Sequence, residues 1–123
     1  MIYDKKVLVV DDDEMIHWMA DMFLTKAGYE ILKADSGPEC LSYLRQHHVD
    51  LILMDVEMPG LNGIETLRQI REEHLAEGTP AFFLSGSKET EAETVKGLTP
   101  ADGFIRKPFM PSELLEAVCK ASS

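Results

Sequence analysis

The sequence predicts a single α/β domain, residues 1–123, in which a doubly wound, five-stranded parallel sheet has helices on both faces. Short runs of large apolar residues alternate with helical segments along the whole chain, and this alternation is typical of a parallel sheet. The runs lack polar alternation, which indicates strands buried on both faces. The chain contains no internal repeat and no low-complexity linker, as expected for one domain. For five strands connected in this way, the order 2-1-3-4-5 places the first and third side by side.

The first strand and helix occupy residues 5–27. An apolar run ending at Val10 is followed by four acids, which favour the amino end of a helix. The helix over 14–27 ends before Gly28, a residue typical of a C-terminal cap. Its predicted core stripe is Ile16, Ala20, Phe23 and Ala27. A second apolar stripe, which either docks a partner or packs under neighbouring loops, is formed by Met15, Trp18 and Met22.

The second strand, second helix and third strand follow at short spacing. Residues 29–34 predict a strand, and Ser36 with Glu39 predicts a capping box that opens the next helix. Residues 51–55 are four large apolar residues and then Asp55, a pattern that predicts a buried strand with an acid at its carboxyl end. Ligands of open α/β folds bind at that edge of the sheet. Asp55 is therefore a candidate nucleophile or metal ligand.

The rest of the chain predicts two more strands and three helices. Asn62 suits the N-cap of the third helix. The last helix begins at about Pro111, since proline is tolerated in a first turn. The remaining elements are strands over 81–84 and 103–106, separated by a weak acidic helix over 88–96.

The composition excludes several functional classes. A net charge of −10 argues against direct binding to nucleic acid, which needs a basic surface, and against an anionic membrane surface. The sequence shows no signal peptide and no apolar segment of membrane-spanning length, so we expect a cytoplasmic protein. Cys40 and Cys119 predict reduced thiols, because no CxxC pattern is present. Four histidines lack partners at metal-ligand spacing and are expected to be solvated: His17, His47, His48 and His74.

The predicted strand order brings several polar residues to one edge of the sheet. Asp11 and Asp12 lie next to Asp55, while Ser85 and Lys107 end neighbouring strands. Crowded carboxylates repel one another unless a cation lies among them, and oxygen ligands favour Mg²⁺. Carboxylates can form aspartyl phosphates, and phosphoryl transfer requires mainly positioning and charge neutralisation. Each residue alone has an ordinary structural explanation, but the set predicts a magnesium-dependent phosphoryl site.

Four segments together resemble the receiver domain of two-component response regulators, of the chemotaxis type with a flavodoxin-like fold. They are 9–12, 53–60, 84–85 and 107–109. The resemblance extends over nearly the whole chain. It implies a phosphorylation-activated signalling switch rather than an enzyme, with magnesium-dependent self-phosphorylation from a donor and self-dephosphorylation.

The resemblance also implies roles for individual acids. Asp55 would accept a phosphoryl group from a histidine kinase or histidine phosphotransfer protein. Asp12, Asp55 and the backbone carbonyl of Glu57 would bind Mg²⁺ directly, and Asp11 would assist through water. Glu57 and Ser87 are expected to tune the lifetime of the phosphorylated state.

Ser85 and Lys107 would hold phosphoryl oxygens, and a cis bond between Lys107 and Pro108 would point the lysine inward. The resemblance implies a two-state switch in which Ser85 moves toward the phosphoryl group and Phe104 turns inward; the alternative is that Phe104 is a fixed core residue. The face formed by the fourth helix, fifth strand and fifth helix is then expected to bind a downstream target protein or to form a phosphorylation-dependent dimer.

An alternative function is that of a phosphatase. Asp11 to Asp13 after a buried strand also resembles the DxD start of haloacid-dehalogenase-type phosphatases, with Asp11 as nucleophile and Asp13 as acid/base. That family needs a further acidic pair after its lysine, which residues 109–111 do not supply, and Asp55 would have no role. A receiver that never accepts phosphate is disfavoured because every required group is present.

Overall fold

The computed structural model describes residues 5–86 and 103–121. Its parallel sheet has the order β2-β1-β3-β4-β5, which confirms the predicted fold class. The strands are β1 (Lys5–Val10), β2 (Tyr29–Ala34), β3 (Leu51–Asp55), β4 (Ala81–Ser85) and β5 (Gly103–Arg106). The helices are α1 (Glu14–Lys26), α2 (Gly37–Leu44), α3 (Gly63–Glu72) and α4 (Pro111–Ala121). The helix predicted over 88–96 and the side chain of Ser87 lie outside the described residues.

Two apolar layers hold the helices on opposite faces of the sheet. One layer joins α2 and α3 to the face that includes Leu8, Ile52 and Phe83. The other joins α1 and α4 to the face that includes Leu53 and Leu84. The interior strands are buried on both faces because the side chains of a strand alternate between the two layers. No helix in the described ranges has the length and apolarity needed to span a membrane.

Side-chain caps begin the helices where the sequence changes from strand to loop. Asp13, the third acid after β1, caps α1 by accepting a hydrogen bond from the backbone N–H of Met15 at 2.9 Å. The Ser36 hydroxyl accepts from the backbone N–H of Glu39 at 3.2 Å. A complete capping box is present instead at the start of α3, where Asn62 and Glu65 each accept a hydrogen bond from the backbone N–H of the other.

The buried side of α1 differs from its predicted core stripe. Ile16 and Ala20 are buried as expected, but Phe23 is only half-buried, Ala27 is exposed, and Leu24 is buried in their place. His17, predicted to be solvated, is 4% exposed, so that prediction is wrong. Its polar ring is accommodated because one nitrogen contacts a backbone carbonyl. The other three histidines are exposed, as predicted.

Candidate phosphoryl-transfer site

Three carboxylates converge at the carboxyl edge of the sheet. Asp11 and Asp12 follow β1 and Asp55 ends β3, and these strands are direct neighbours in the sheet. Each acid offers one oxygen to a group whose members lie within 4.8 Å of one another. Asp11 and Asp55 are buried, whereas Asp12 is exposed. The sequence predicted this grouping, and oxygen-only ligands at such spacing suit a hard divalent cation.

Lys107 places its ammonium group between two of these acids. Its Nζ lies 3.2 Å from Oδ2 of Asp11 and 3.4 Å from Oδ1 of Asp55. The backbone N–H of Lys107 donates to the carbonyl of Ser85 at 2.7 Å, which fixes the end of β5 against β4. The peptide bond between Lys107 and Pro108 is cis, as expected. Burial of the ammonium opposes its charge, but attraction to Asp11 and Asp55 outweighs burial and raises the pKa of Lys107.

The charged form of Asp55 is destabilised by its surroundings, and favourable contacts only partly offset this. Burial and then repulsion from Asp11 raise the pKa of Asp55 from 3.8 to about 6, while Lys107 and the backbone N–H of Glu57 oppose the shift. That N–H donates to Oδ1 of Asp55 at 3.2 Å. Because a pKa of about 6 leaves the carboxylate mostly ionised at neutral pH, Asp55 remains available as a nucleophile. The remaining repulsion is what a bound cation would remove.

The other predicted site residues surround this cluster. Ser85 ends β4 and is buried beside the β3 strand that carries Asp55. Glu57 is exposed, and its Oε2 lies close to Gly86, 3.6 Å from where a Cβ on that glycine would stand. Its carboxylate does not belong to the group of three acids found among residues 5–86 and 103–121. Phe104 is half-buried and packs against the layer that holds α2 and α3.

The family follows from a match along almost the whole chain. The sequence model described as the response regulator receiver domain matches residues 7–119. This chain belongs to that family. Among curated relatives, the transcriptional regulatory protein ResD of Bacillus subtilis is 40% identical over 113 residues, which are 91% of this chain and 45% of that protein. The sensor kinase/phosphatase CqsS of Vibrio cholerae is 32% identical over 94% of this chain and 17% of that protein.

Solved structures give the same family. The chemotaxis response regulator CheY4 of Vibrio cholerae matches this receiver domain with a TM-score of 0.85 and 31% sequence identity, covering 98% of this chain and 99% of that one. The chain spans about half the length of the curated relatives that match it first. Receiver domains are parts of response regulators, the proteins of phosphorylation-based two-component signalling that receive signals from histidine kinases and act on downstream effectors.

An apolar surface on α1 borders the acidic site of this receiver domain. Met15, Trp18 and Met22 are 62%, 53% and 38% exposed, so the stripe is not packed under neighbouring loops of the described chain. Beside it, an apolar pocket of about 390 Å³ is lined by Ile16, Met19, Lys107, Pro108 and Phe109. The pocket connects the helix surface to the lysine of the site.

Two residues that support the site were missed at the sequence level. His17 contacts the backbone of Asp11, and its spacing of three and seven residues from buried Ala20 and Leu24 was the available signal. Gly63 begins α3 directly against the end of β3, where an added Cβ would overlap the backbone oxygen of Asp55. Only the packing of α3 on β3 reveals this contact, because nothing in the local sequence shows which strand the helix approaches.

Proposed function

We propose that this receiver domain accepts a phosphoryl group on Asp55 from a histidine kinase or a histidine phosphotransfer protein. The observation that carries the proposal is the contact of Lys107 with both Asp11 and Asp55 at the edge where Asp12 also lies. Such an arrangement combines a carboxylate nucleophile with the cation and metal ligands that phosphoryl transfer requires.

In the proposed reaction, a carboxylate oxygen of Asp55 attacks the phosphorus of the donor's phosphohistidine. The new P–O bond forms as the P–N bond breaks, and the electron pair of the P–N bond remains on the imidazole nitrogen of the donor. Lys107 and the Ser85 hydroxyl hold the non-bridging oxygens of the transferred group. Attack by water later releases inorganic phosphate and restores Asp55, and the exposed carboxylate of Glu57 on the same edge tunes that rate.

The acidic group fits Mg²⁺ because it offers only oxygen ligands and because the Asp55 carboxylate is destabilised by its surroundings. Asp12, Asp55 and the backbone carbonyl of Glu57 would hold the ion, with Asp11 assisting through water. When bound, Mg²⁺ neutralises negative charge on the transferring phosphoryl group. Asp11 is already oriented by Lys107 and by the backbone N–H of Asp13, which donates to its Oδ1 at 2.9 Å.

Phosphorylation is proposed to change the protein-binding surface through Ser85 and Phe104. Ser85 moves toward the phosphoryl group, and the Phe104 ring fills the vacated space by packing alone, since it carries no hydroxyl. Phe104 lines a groove of about 420 Å³ between β5 and α4, together with Arg106, Glu113 and Ala117. A downstream protein, or a second copy in a phosphorylation-dependent dimer, would bind this face rather than nucleic acid.

The phosphoryl donor is proposed to dock on the exposed apolar stripe of α1, because the neighbouring pocket leads to Lys107. Trp18→Ala is expected to slow transfer from the phosphorylated donor protein but not from a small acyl phosphate. Equal rates of protein-to-protein transfer with and without Trp18 would remove this surface from the proposal.

The acceptor is tested by treating the chain with a small acyl phosphate and Mg²⁺, reducing the product with borohydride and mapping the modified residue by mass spectrometry. We expect the label on Asp55 of the parent chain and no label at this position in Asp55→Asn. Asp50→Asn, which removes an acid that accepts from the backbone of Lys6 at the start of β1, should still be labelled. Label on Asp11 would instead favour the phosphatase alternative.

A further inference from the structure

A buried histidine in α1 contacts the backbone that carries the acidic group. The His17 side chain is 5% exposed, and its Nε2 lies 2.6 Å from the carbonyl oxygen of Asp11. A carbonyl oxygen can only accept a hydrogen bond. Nε2 therefore carries the hydrogen and donates it to Asp11.

This bond closes a loop between β1 and the first turns of α1. The backbone N–H of Asp11 donates to Ala34 of the neighbouring strand at 3.1 Å, so its amide side is held by the sheet. The bond from His17 holds its carbonyl side. Oδ1 of Asp35, the residue after β2, lies 3.4 Å from the same Nε2 and adds a weaker second acceptor.

The peptide that His17 holds determines where Asp12 lies. The peptide group is planar, so fixing the Asp11 carbonyl also fixes the N–H and Cα of Asp12. The Asp12 side chain is exposed, and within the described chain no hydrogen bond or ion pair holds its carboxylate. Its direction therefore depends on its backbone.

Packing alone does not account for a histidine at this position. Nδ1 of His17 is buried and has no hydrogen-bond partner among the described residues. A leucine would fill similar space without burying an unpartnered nitrogen, which is unfavourable. What leucine could not supply is the N–H that reaches Asp11.

We infer that His17 is a positioning residue for the cation site: its ring N–H holds the Asp11–Asp12 peptide and thereby aims the Asp12 carboxylate at the bound ion. The inference rests on the proposed Mg²⁺ site. It assigns to α1 a part in metal binding that is separate from its apolar docking surface.

The test compares His17→Leu, which has no donor, with His17→Gln, whose amide N–H can occupy the place of Nε2. Mg²⁺ affinity of the full chain is measured by isothermal titration calorimetry. Mutation of a residue that hydrogen-bonds to a metal ligand typically weakens metal affinity by about 10- to 100-fold. We therefore expect the Kd of H17L for Mg²⁺ to rise about tenfold. H17Q should remain within about twofold of the parent chain, and His47→Leu, which changes an exposed histidine in the loop after α2, should be unchanged.

A metal-free measurement separates this role from general stability. The backbone N–H of Asp13, bonded to Oδ1 of Asp11, should exchange with solvent faster in H17L than in H17Q, whereas amides of β3 should not change. If H17L does not fold, His17→Met supplies a more flexible donor-free side chain for the same comparison. Equal Mg²⁺ affinity of the parent and the donor-free variant, or equal weakening in H17Q, would overturn the role of His17. Failure of the parent itself to bind Mg²⁺ would overturn the metal site.

Discussion

Removing the charge of Asp55 should stabilise the metal-free fold at neutral pH. The pKa of Asp55 is raised from 3.8 to about 6, first by burial and then by Asp11. A pKa shift of one unit corresponds to about 1.4 kcal/mol, so the full shift would correspond to about 3 kcal/mol. The acidic edge is open to water at Asp12, and screening reduces this value, so we expect Asp55→Asn to raise the free energy of unfolding by about 1–2 kcal/mol.

Because the pKa of Asp55 is raised in the folded state, the stabilisation by Asp55→Asn depends on pH. A carboxyl group with a raised folded-state pKa favours the protonated form in the native state, so the parent chain loses stability as pH rises from about 4 through about 6. Asparagine has no such titration. The stabilisation by Asp55→Asn should therefore be largest above pH 6 and vanish near pH 4.

Urea unfolding in the presence of a chelator, at several pH values between 4 and 8, measures this difference. Asp50→Asn removes one negative charge just before β3, away from the acidic site, so it controls for the net charge of −10. Adding Mg²⁺ should stabilise the parent more than Asp55→Asn, because ligand binding to the native state stabilises it and the variant lacks the negative charge of one ligand. A variant that is less stable than the parent in chelator, or a difference that does not depend on pH, would refute this electrostatic account.

Three further perturbations test the surroundings of the site. Gly63→Ala should lower the free energy of unfolding by about 1–3 kcal/mol in urea melts, since the new Cβ would overlap the backbone of Asp55. Gly86→Ala is the control, because a Cβ there would make only an ordinary contact with Glu57. Equal losses of stability in the two variants would contradict the steric explanation. Lys107→Met should raise the pKa of Asp55 further, as measured by ¹³C NMR titration of its carboxyl carbon, and an unchanged or lower value would contradict the ion pair. Hydrogen bonds from Arg45 and Gln69 lower the pKa of Glu73 to about 2, so the stability that the Glu73 carboxylate contributes is present above pH 4.5 and lost as pH falls toward 2. Glu73→Gln should therefore destabilise the chain at pH 7 but not near pH 2. The same loss of stability at both pH values would exclude this linkage.

The sequence alone was enough to predict the fold and the grouping of the candidate site. Buried parallel strands must be continuous apolar runs, and their carboxyl ends must share an edge. The contacts of Lys107 with Asp11 and Asp55 follow from that rule, although each residue is far from the others in sequence. The ends of β1, β2 and β5 also fall at the predicted residues, because acids or turn residues interrupt each run.

The tertiary structure decided which polar groups are buried and what they contact. Helical periodicity predicted a solvated His17, yet the ring is buried because the Asp11 carbonyl offers an acceptor within reach. Likewise, the sequence could not distinguish a packed from an exposed Trp18, since exposure depends on whether another segment covers that side of α1. Local patterns record the preferences of a strand or helix, whereas burial, pKa shifts and the close approach of Gly63 to Asp55 depend on distances between segments that only the folded chain brings together.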